Sequence, residues 1–524
     1  MTDRFRLTLG QMNPTAGDLS GNAALARQAW EAGRAAQAQM VALPELFLTG
    51  AVGDLLRSPA FLRDAQAQLE TLARACADGP ALGIGAPWQE GDRLYNAYLI
   101  LEEGRITQRV LKHRLAAEEA ALFDAGPISG PYVVAGLRLG SPIGADIADA
   151  DVAETLEETG AEVLLSPHAA PYRRGILDLR FNHTVARVIE TGLPLIYLNQ
   201  IGAEGREVCD GASFALNPGG HLARQLPAFE TAVAHIDLAR GAEGWHVLPG
   251  EIAAQTDATE KDYRALVLGL RDHLRKSGQS NMLLGLEGDA GSALVAALAA
   301  DAMGPAQLRC VFLPGPETPD AARGHAEFTA AQLGCTLDVA PLATLQSQLG
   351  ETLGALKGAE AQGGLALTDG VRRLLLQTLG DDLGAMALSN ASKTDAALGR
   401  PSAQQGGLAP ISDLYESEVL TLCQWRNRQH RAWMNGPAGA VMPSDILSAT
   451  PDAPDIDSLL KLLLEDKVPP ADCIAAGYEE AVVEKLAEQV FHASRIAAPG
   501  PQISDAKPMT AEGLAAQKRW LDSR

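Results

Sequence analysis

Apolar and polar positions alternate over residues 5–12, the period-two signature of a half-buried strand. An Ala-rich helical stretch follows at 22–39, then an apolar run at 40–43 that ends in Pro44-Glu45. Residues 81–86 predict a third strand. Residues 94–101 and 106–111 predict a hairpin turning at Glu103-Gly104. Strand and helix signals keep alternating to about Leu238, which predicts a layered α/β domain with helices covering sheets. The pattern assigns residues 1–240 to this domain. The polar, Gly-containing stretch 241–260 reads as a linker.

A second rhythm begins beyond the linker. Apolar positions Tyr263, Leu266, Leu270 and Leu274 share one face of a helix over 259–276. A short apolar run at 282–284 suits a buried parallel strand. Small and acidic residues follow, Glu287-Gly288-Asp289-Ala290-Gly291-Ser292, and then an Ala/Leu-rich helix over 293–303 closed by Gly304. A strand at 308–313, a helix at 321–333 and a strand at 337–340 continue the alternation, which predicts a doubly wound parallel sheet over 261–495. Residues 496–524 form a Pro/Gly-bearing tail. From Thr510 it predicts a short amphipathic helix, with Leu514, Trp520 and Leu521 apolar and Lys518, Arg519 and Arg524 basic.

The loop at 287–292 has the architecture of a phosphate cradle, because the backbone N–H groups and dipole of a helix N-terminus point at it. Its chemistry opposes that use. Glu287 and Asp289 put two carboxylates where a pyrophosphate would rest. Like charges about 4 Å apart repel by roughly 1 kcal/mol in water and about 4 kcal/mol at an effective dielectric near 20.

Composition narrows the classes. The chain has 524 residues, too many for one ordinary core, and aromatics supply only 5%, so Ala, Leu, Val and Ile must build the interior. A formal net charge of −22 argues against nucleic-acid or anionic-membrane surfaces. The six cysteines make no CxxC or Cys/His ligand spacing, so no zinc site is expected. Scattered cysteines and the absence of a signal-peptide core point to a cytoplasmic protein.

The stretch ALPELFLTG, 42–50, resembles the nitrilase-superfamily glutaminase domain fused to the front of glutamine-dependent NAD+ synthetases. LYNAYLILEEGRI, VLKHRL, SPHAAPY, ARVIETGLPLIYLNQIG and CDGASFALNPGG continue the resemblance in the same order. It implies a nitrilase-like α-β-β-α sandwich followed by a Rossmann-like, ATP-pyrophosphatase-type domain. It also implies a site of three residues: a Glu base, a Lys that steadies the oxyanion and a Cys nucleophile. Glu45 and Lys112 match the first two. Gly144, in Ser141-Pro142-Ile143-Gly144-Ala145-Asp146, stands at the nucleophile position and carries no thiol. Glu118 or Glu119 is expected near the pair. A relocated site built on Cys209 and His168 is the alternative, set against Cys209 as a small buried hydrophobe.

The loop at 287–292 resembles the family's Ser-Gly-Gly-x-Asp-Ser nucleotide loop, with only Gly288 and Ser292 retained. Lys393, in Asn390-Ala391-Ser392-Lys393-Thr394-Asp395, matches a further motif lysine, and Arg495 a cation near the end of the domain. From these departures the expectation is a catalytically inactive family member. It would have no cofactor and no metal, and would act as an accessory or scaffold subunit. Its contacts would be protein partners or copies of itself, with 510–524 as a docking segment. The alternatives are an active glutamine-dependent NAD+ synthetase, acting on deamido-NAD, ATP and glutamine, and a ligand sensor without turnover.

Overall fold

The computed structural model describes residues 3–51, 53–316, 318–357, 365–400, 407–448 and 454–493. The chain forms two compact units that part between Gln255 and Thr256.

The first unit is built on two sheets. Seven strands run in the order Gly244–Val247, Ala232–Gly241, Arg4–Gln11, Met40–Ala42, Ala81–Glu90, Arg93–Glu102 and Arg105–Leu111. Six strands form the other, in the order His221–Gln225, Phe214–Asn217, Leu195–Asn199, Val163–His168, Leu137–Gly140 and Tyr132–Val134. Leu7, Leu9 and Ile100 from the first sheet meet Leu139, Ile196 and Leu198 from the second in one apolar layer. The helices Leu19–Ala35 and Pro59–Ala75 cover the other face of the first sheet through Ala26, Trp30, Phe61 and Leu69. Helices Ala150–Glu158 and Ile176–Thr191 cover the second through Leu156 and Val188. The result is the expected α-β-β-α sandwich. Every residue of Val163–His168 is buried, because a parallel strand with both faces covered has no solvent side.

The stretch read as a linker is partly sheet. Gly244–Val247 pairs antiparallel with Ala232–Gly241, Leu238 opposite Val247, and Trp245 is buried. The polar composition of 241–260 hid a four-residue edge strand whose alternate positions alone face the core. The next helix, Ala258–Lys276, opens on Asp257, whose side chain accepts from the Glu260 N–H.

The second unit carries a four-stranded parallel sheet in the order Thr336–Val339, Leu308–Phe312, Asn281–Gly285 and Ala385–Leu388. The helix Ala290–Met303 is buried on nearly all sides, which accounts for an apolar surface with no polar stripe. Its one acid, Asp301, is fully buried and satisfied. Arg426 donates to it at 2.6 and 3.1 Å, and the Tyr263 hydroxyl at 2.7 Å. Among the described residues no helix is long and apolar enough to cross a membrane. The expected docking segment 510–524 and Arg495 lie outside the described residues.

Candidate active site

In the first unit the strand Met40–Ala42 delivers Glu45, and Lys112 follows directly on the strand Arg105–Leu111. The two meet with both side chains buried. Lys112 Nζ donates to Glu45 Oε1 at 2.7 Å and to Glu119 Oε1 at 2.6 Å. Asn96 Nδ2 donates to Glu45 Oε1 at 2.8 Å and the Ala169 N–H to Glu45 Oε2 at 3.2 Å. Burial alone would pull the Lys112 ammonium down. Glu45 and Glu119 outweigh it and push the group up to about 12. Of the two acids expected near the pair, Glu119 is the one that lands on the lysine.

Gly144 sits at the centre of this arrangement, at φ +52°. A Cβ built there would lie 2.6 Å from Glu45 Oε2 and 2.9 Å from Lys112 Nζ. The backbone therefore holds position 144 where a side chain would point straight at the Glu45 carboxylate and the Lys112 ammonium. Asp146, two residues on, fastens the turn by accepting from the N–H groups of Ile143, His113 and Arg114. Burial raises its carboxyl to about 6, against those three donors.

His168 is buried, with Nε2 2.8 Å from Ser166 Oγ and its ring stacked on Tyr197 at 3.8 Å. Burial drives its imidazole well below the ordinary range. Cys209 is buried too, and Gln200 Nε2 approaches its sulfur at 3.7 Å. Arg180 pairs with Asp210 at 2.7 Å beside it, and both are buried.

Sequence reasoning passed over Asn96 and Asp146. The signal for Asn96 was present: one amide among the buried Tyr, Ala, Leu and Ile positions in the middle of the strand Arg93–Glu102. Its Nδ2 finds both acids, reaching Glu119 Oε1 at 3.3 Å as well, while its Oδ1 is buried without a hydrogen-bond partner among the described residues.

In the second unit the loop Glu287 to Ser292 joins the strand Asn281–Gly285 to the helix Ala290–Met303. Asp289 does not project into the cradle. It turns back as the helix N-cap, accepting from the Ser292 N–H at 2.8 Å and from the Ser292 hydroxyl. That hydroxyl also accepts from the Glu287 N–H at 3.1 Å. Burial, and then Asp289, push the Glu287 carboxyl up to about 7, while Arg372 pulls the other way. The two negative charges foreseen for the loop are thus smaller than their formal sum. One carboxylate is occupied by the helix end and the other is easily protonated.

Gly288, at φ +81°, is irreplaceable on space alone, because a Cβ there would lie 2.1 Å from the Ala322 carbonyl oxygen. A narrow cleft opens beside the loop, lined by Gly285, Glu287, Phe312, Thr318, Arg372 and Leu376 among others. Gly291 lies against the Asn390 carbonyl, so the motif at 390–395 does approach the loop. Lys393 is engaged elsewhere, with Glu465, with Asp413 at 3.6 Å and over the Tyr415 ring at 4.8 Å.

The comparisons follow this division. Residues 6–244 match the carbon-nitrogen hydrolase family and residues 262–495 the NAD synthase family. A glutamine-dependent NAD(+) synthetase of Rhodobacter capsulatus is 42% identical over 555 residues, covering 100% of this chain and 98% of that protein. The chain belongs to the glutamine-dependent NAD+ synthetase family. A Xylella fastidiosa synthetase is 31% identical over 96% of this chain and 97% of its own length. The solved Acinetobacter baumannii synthetase, in complex with ADP, superposes with a TM-score of 0.78 at 25% identity, covering 96% of this chain and 97% of that one.

These relatives overturn the expected scaffold subunit, and with it the expectation that the chain is not an enzyme. Similarity this high runs end to end through proteins that carry the synthetase name. The error lay in equating altered motif side chains with a lost site. Motif letters report neither where Asp289 turns nor how far Glu287 is neutralised.

Proposed function

We propose that this chain makes NAD+ from deamido-NAD, ATP and an amide nitrogen donor, as a working glutamine-dependent NAD+ synthetase. The single observation that carries the reading is the 42% identity to a synthetase across 98% of its length. In this reading the second unit activates the deamido-NAD carboxylate with ATP. Pyrophosphate leaves, and nitrogen then displaces AMP to form the amide. The helix Ala290–Met303 begins directly after Gly288 and its N-cap Asp289, and its N-terminus is where phosphate charge would settle in this reading.

The first unit supplies the nitrogen. Glu45 stands as the base and Lys112 as the cation that steadies an oxyanion at the amide carbon. Gly144 offers no sulfur, so no thioester forms at that residue. A water deprotonated by Glu45 adds to the glutamine amide, and the C–N bond breaks as ammonia takes a proton. The missing side chain favours a second reading of the nitrogen source, in which ammonium itself is the donor.

One assay tests both. NAD+ formation is followed from deamido-NAD and ATP with glutamine, with ammonium chloride, and with neither. NAD+ from either donor supports the synthetase reading, and the ratio of the two rates ranks the nitrogen sources. No NAD+ from either donor refutes it.

A further inference from the structure

His325 lies on the helix Asp320–Leu333, one turn beyond Ala322, the residue whose carbonyl presses on Gly288. The two contacts come from one helix face, since positions three apart are neighbours. The His325 ring reaches two oxygens: Nδ1 is 3.2 Å from the Gly288 carbonyl and Nε2 is 2.6 Å from Asp445 Oδ2. A carbonyl and a carboxylate only accept. Both ring nitrogens must therefore donate, and only the imidazolium carries two N–H groups.

We propose that His325 is a positioning residue for the nucleotide loop, holding the Gly288 peptide in place as an imidazolium and releasing it when the ring loses a proton. The proposal rests on the synthetase reading for the loop's purpose, but the clamp itself is a matter of geometry. Gly288 is the hinge of the loop, at φ +81°, and its neighbours Glu287 and Asp289 carry the loop's carboxyl groups. Turning the Gly288 carbonyl toward His325 fixes the plane of the peptide that joins Gly288 to Asp289. That plane sets the direction of the Asp289 N–H, at the N-cap of the helix.

The charged groups around the ring are few. Asp445, from the short helix Ser444–Ser448, holds Nε2, and that bond keeps the Asp445 carboxyl below the usual carboxylate range. The loop brings Glu287 and Asp289. On His325's own helix, Arg323 and Glu327 pair with each other at 2.8 Å.

The test compares wild type, His325→Ala and His325→Gln in the full chain. Amide hydrogen exchange over 287–292 is measured from pH 5.5 to 8.5, and ATP affinity by calorimetry at pH 6 and 8. In His325→Ala the loop amides are expected to exchange about tenfold faster at pH 6, with a correspondingly weaker ATP affinity. In wild type both properties are expected to move toward the variant's values at pH 8. His325→Gln, which keeps one donor, is expected to fall between the two, and added imidazole to rescue His325→Ala in part.

Loop exchange that is the same in wild type and His325→Ala at every pH overturns the proposal. So does a nitrogen-15 histidine spectrum showing a neutral His325 ring at pH 6, or altered exchange with unchanged ATP affinity. If ATP does not bind wild type at all, the synthetase reading fails. The exchange and histidine spectra then decide the clamp by themselves.

Discussion

The side-chain direction of Gly144 ends 2.6 Å from Oε2 of Glu45, with Lys112 Nζ only slightly farther away. A side chain at position 144 would be aimed at that carboxylate, and glycine supplies none. Gly144→Cys is therefore expected to raise the glutamine-dependent rate of NAD+ formation at least tenfold and to leave the ammonium-dependent rate unchanged. At φ +52° a side chain is strained, by about 1–3 kcal/mol, so the variant's thermal midpoint is expected to fall. The groups in its way are the far ends of Glu45 and Lys112, which can move aside. Equal glutamine rates in the two proteins would show that position 144 has no part in nitrogen supply.

Lys112 is shared between two acids, and its side chain is 4% exposed. Lys112→Met leaves Glu45 buried with no cation. Breaking a buried pair in this way costs about 3–5 kcal/mol, and urea unfolding of the variant should show a loss of that order. Glu119→Gln should cost much less, because Glu119 is partly exposed and Lys112 keeps Glu45.

The Glu287 carboxyl is raised from an ordinary 4.5 to about 7 by burial and by Asp289. The folded chain therefore holds this proton more tightly than the unfolded chain does. Its contribution to stability is fully present below about 4.5 and is lost as pH rises through about 7. Glu287→Gln removes a charge that is unfavourable only at high pH. Thermal scans should find the variant more stable than wild type at pH 8 and no more stable at pH 4. A stabilisation that is the same at both ends would refute the assignment.

Asp289 competes with any phosphate for the end of the helix Ala290–Met303. Asp289→Gly removes the competing charge, and glycine at an N-cap costs only a few tenths of a kcal/mol. One like charge near 4 Å is worth about 1–4 kcal/mol between water and a partly buried site. Calorimetry should therefore show ATP bound at least fivefold more tightly by the variant. Unchanged affinity would mean that the nucleotide does not approach this helix end.

The layers were legible because periodicity reports them. Alternation over 5–12 became the strand Arg4–Gln11, and the apolar run at 282–284 became the middle of Asn281–Gly285. The edge strand Gly244–Val247 was not legible, since four residues hold too few positions to show a period. At the sites, the positions of Glu45 and Lys112 could be read from motif letters. The partnership of Lys112 with Glu119, seven residues away, was open between two neighbouring acids until the turn was seen. The direction of Asp289 was hidden for a related reason. An Asp before a helix reads equally as a charge facing a ligand and as a cap facing its own backbone.

The trio Glu45, Lys112 and Glu119 sums to one formal negative charge, with Glu45 and Lys112 buried and Glu119 partly exposed. In the synthetase reading proposed above, that single net charge would favour a neutral amide or an ammonium ion over the carboxylate that hydrolysis leaves. The same three side chains would then both retain nitrogen and turn spent donor away.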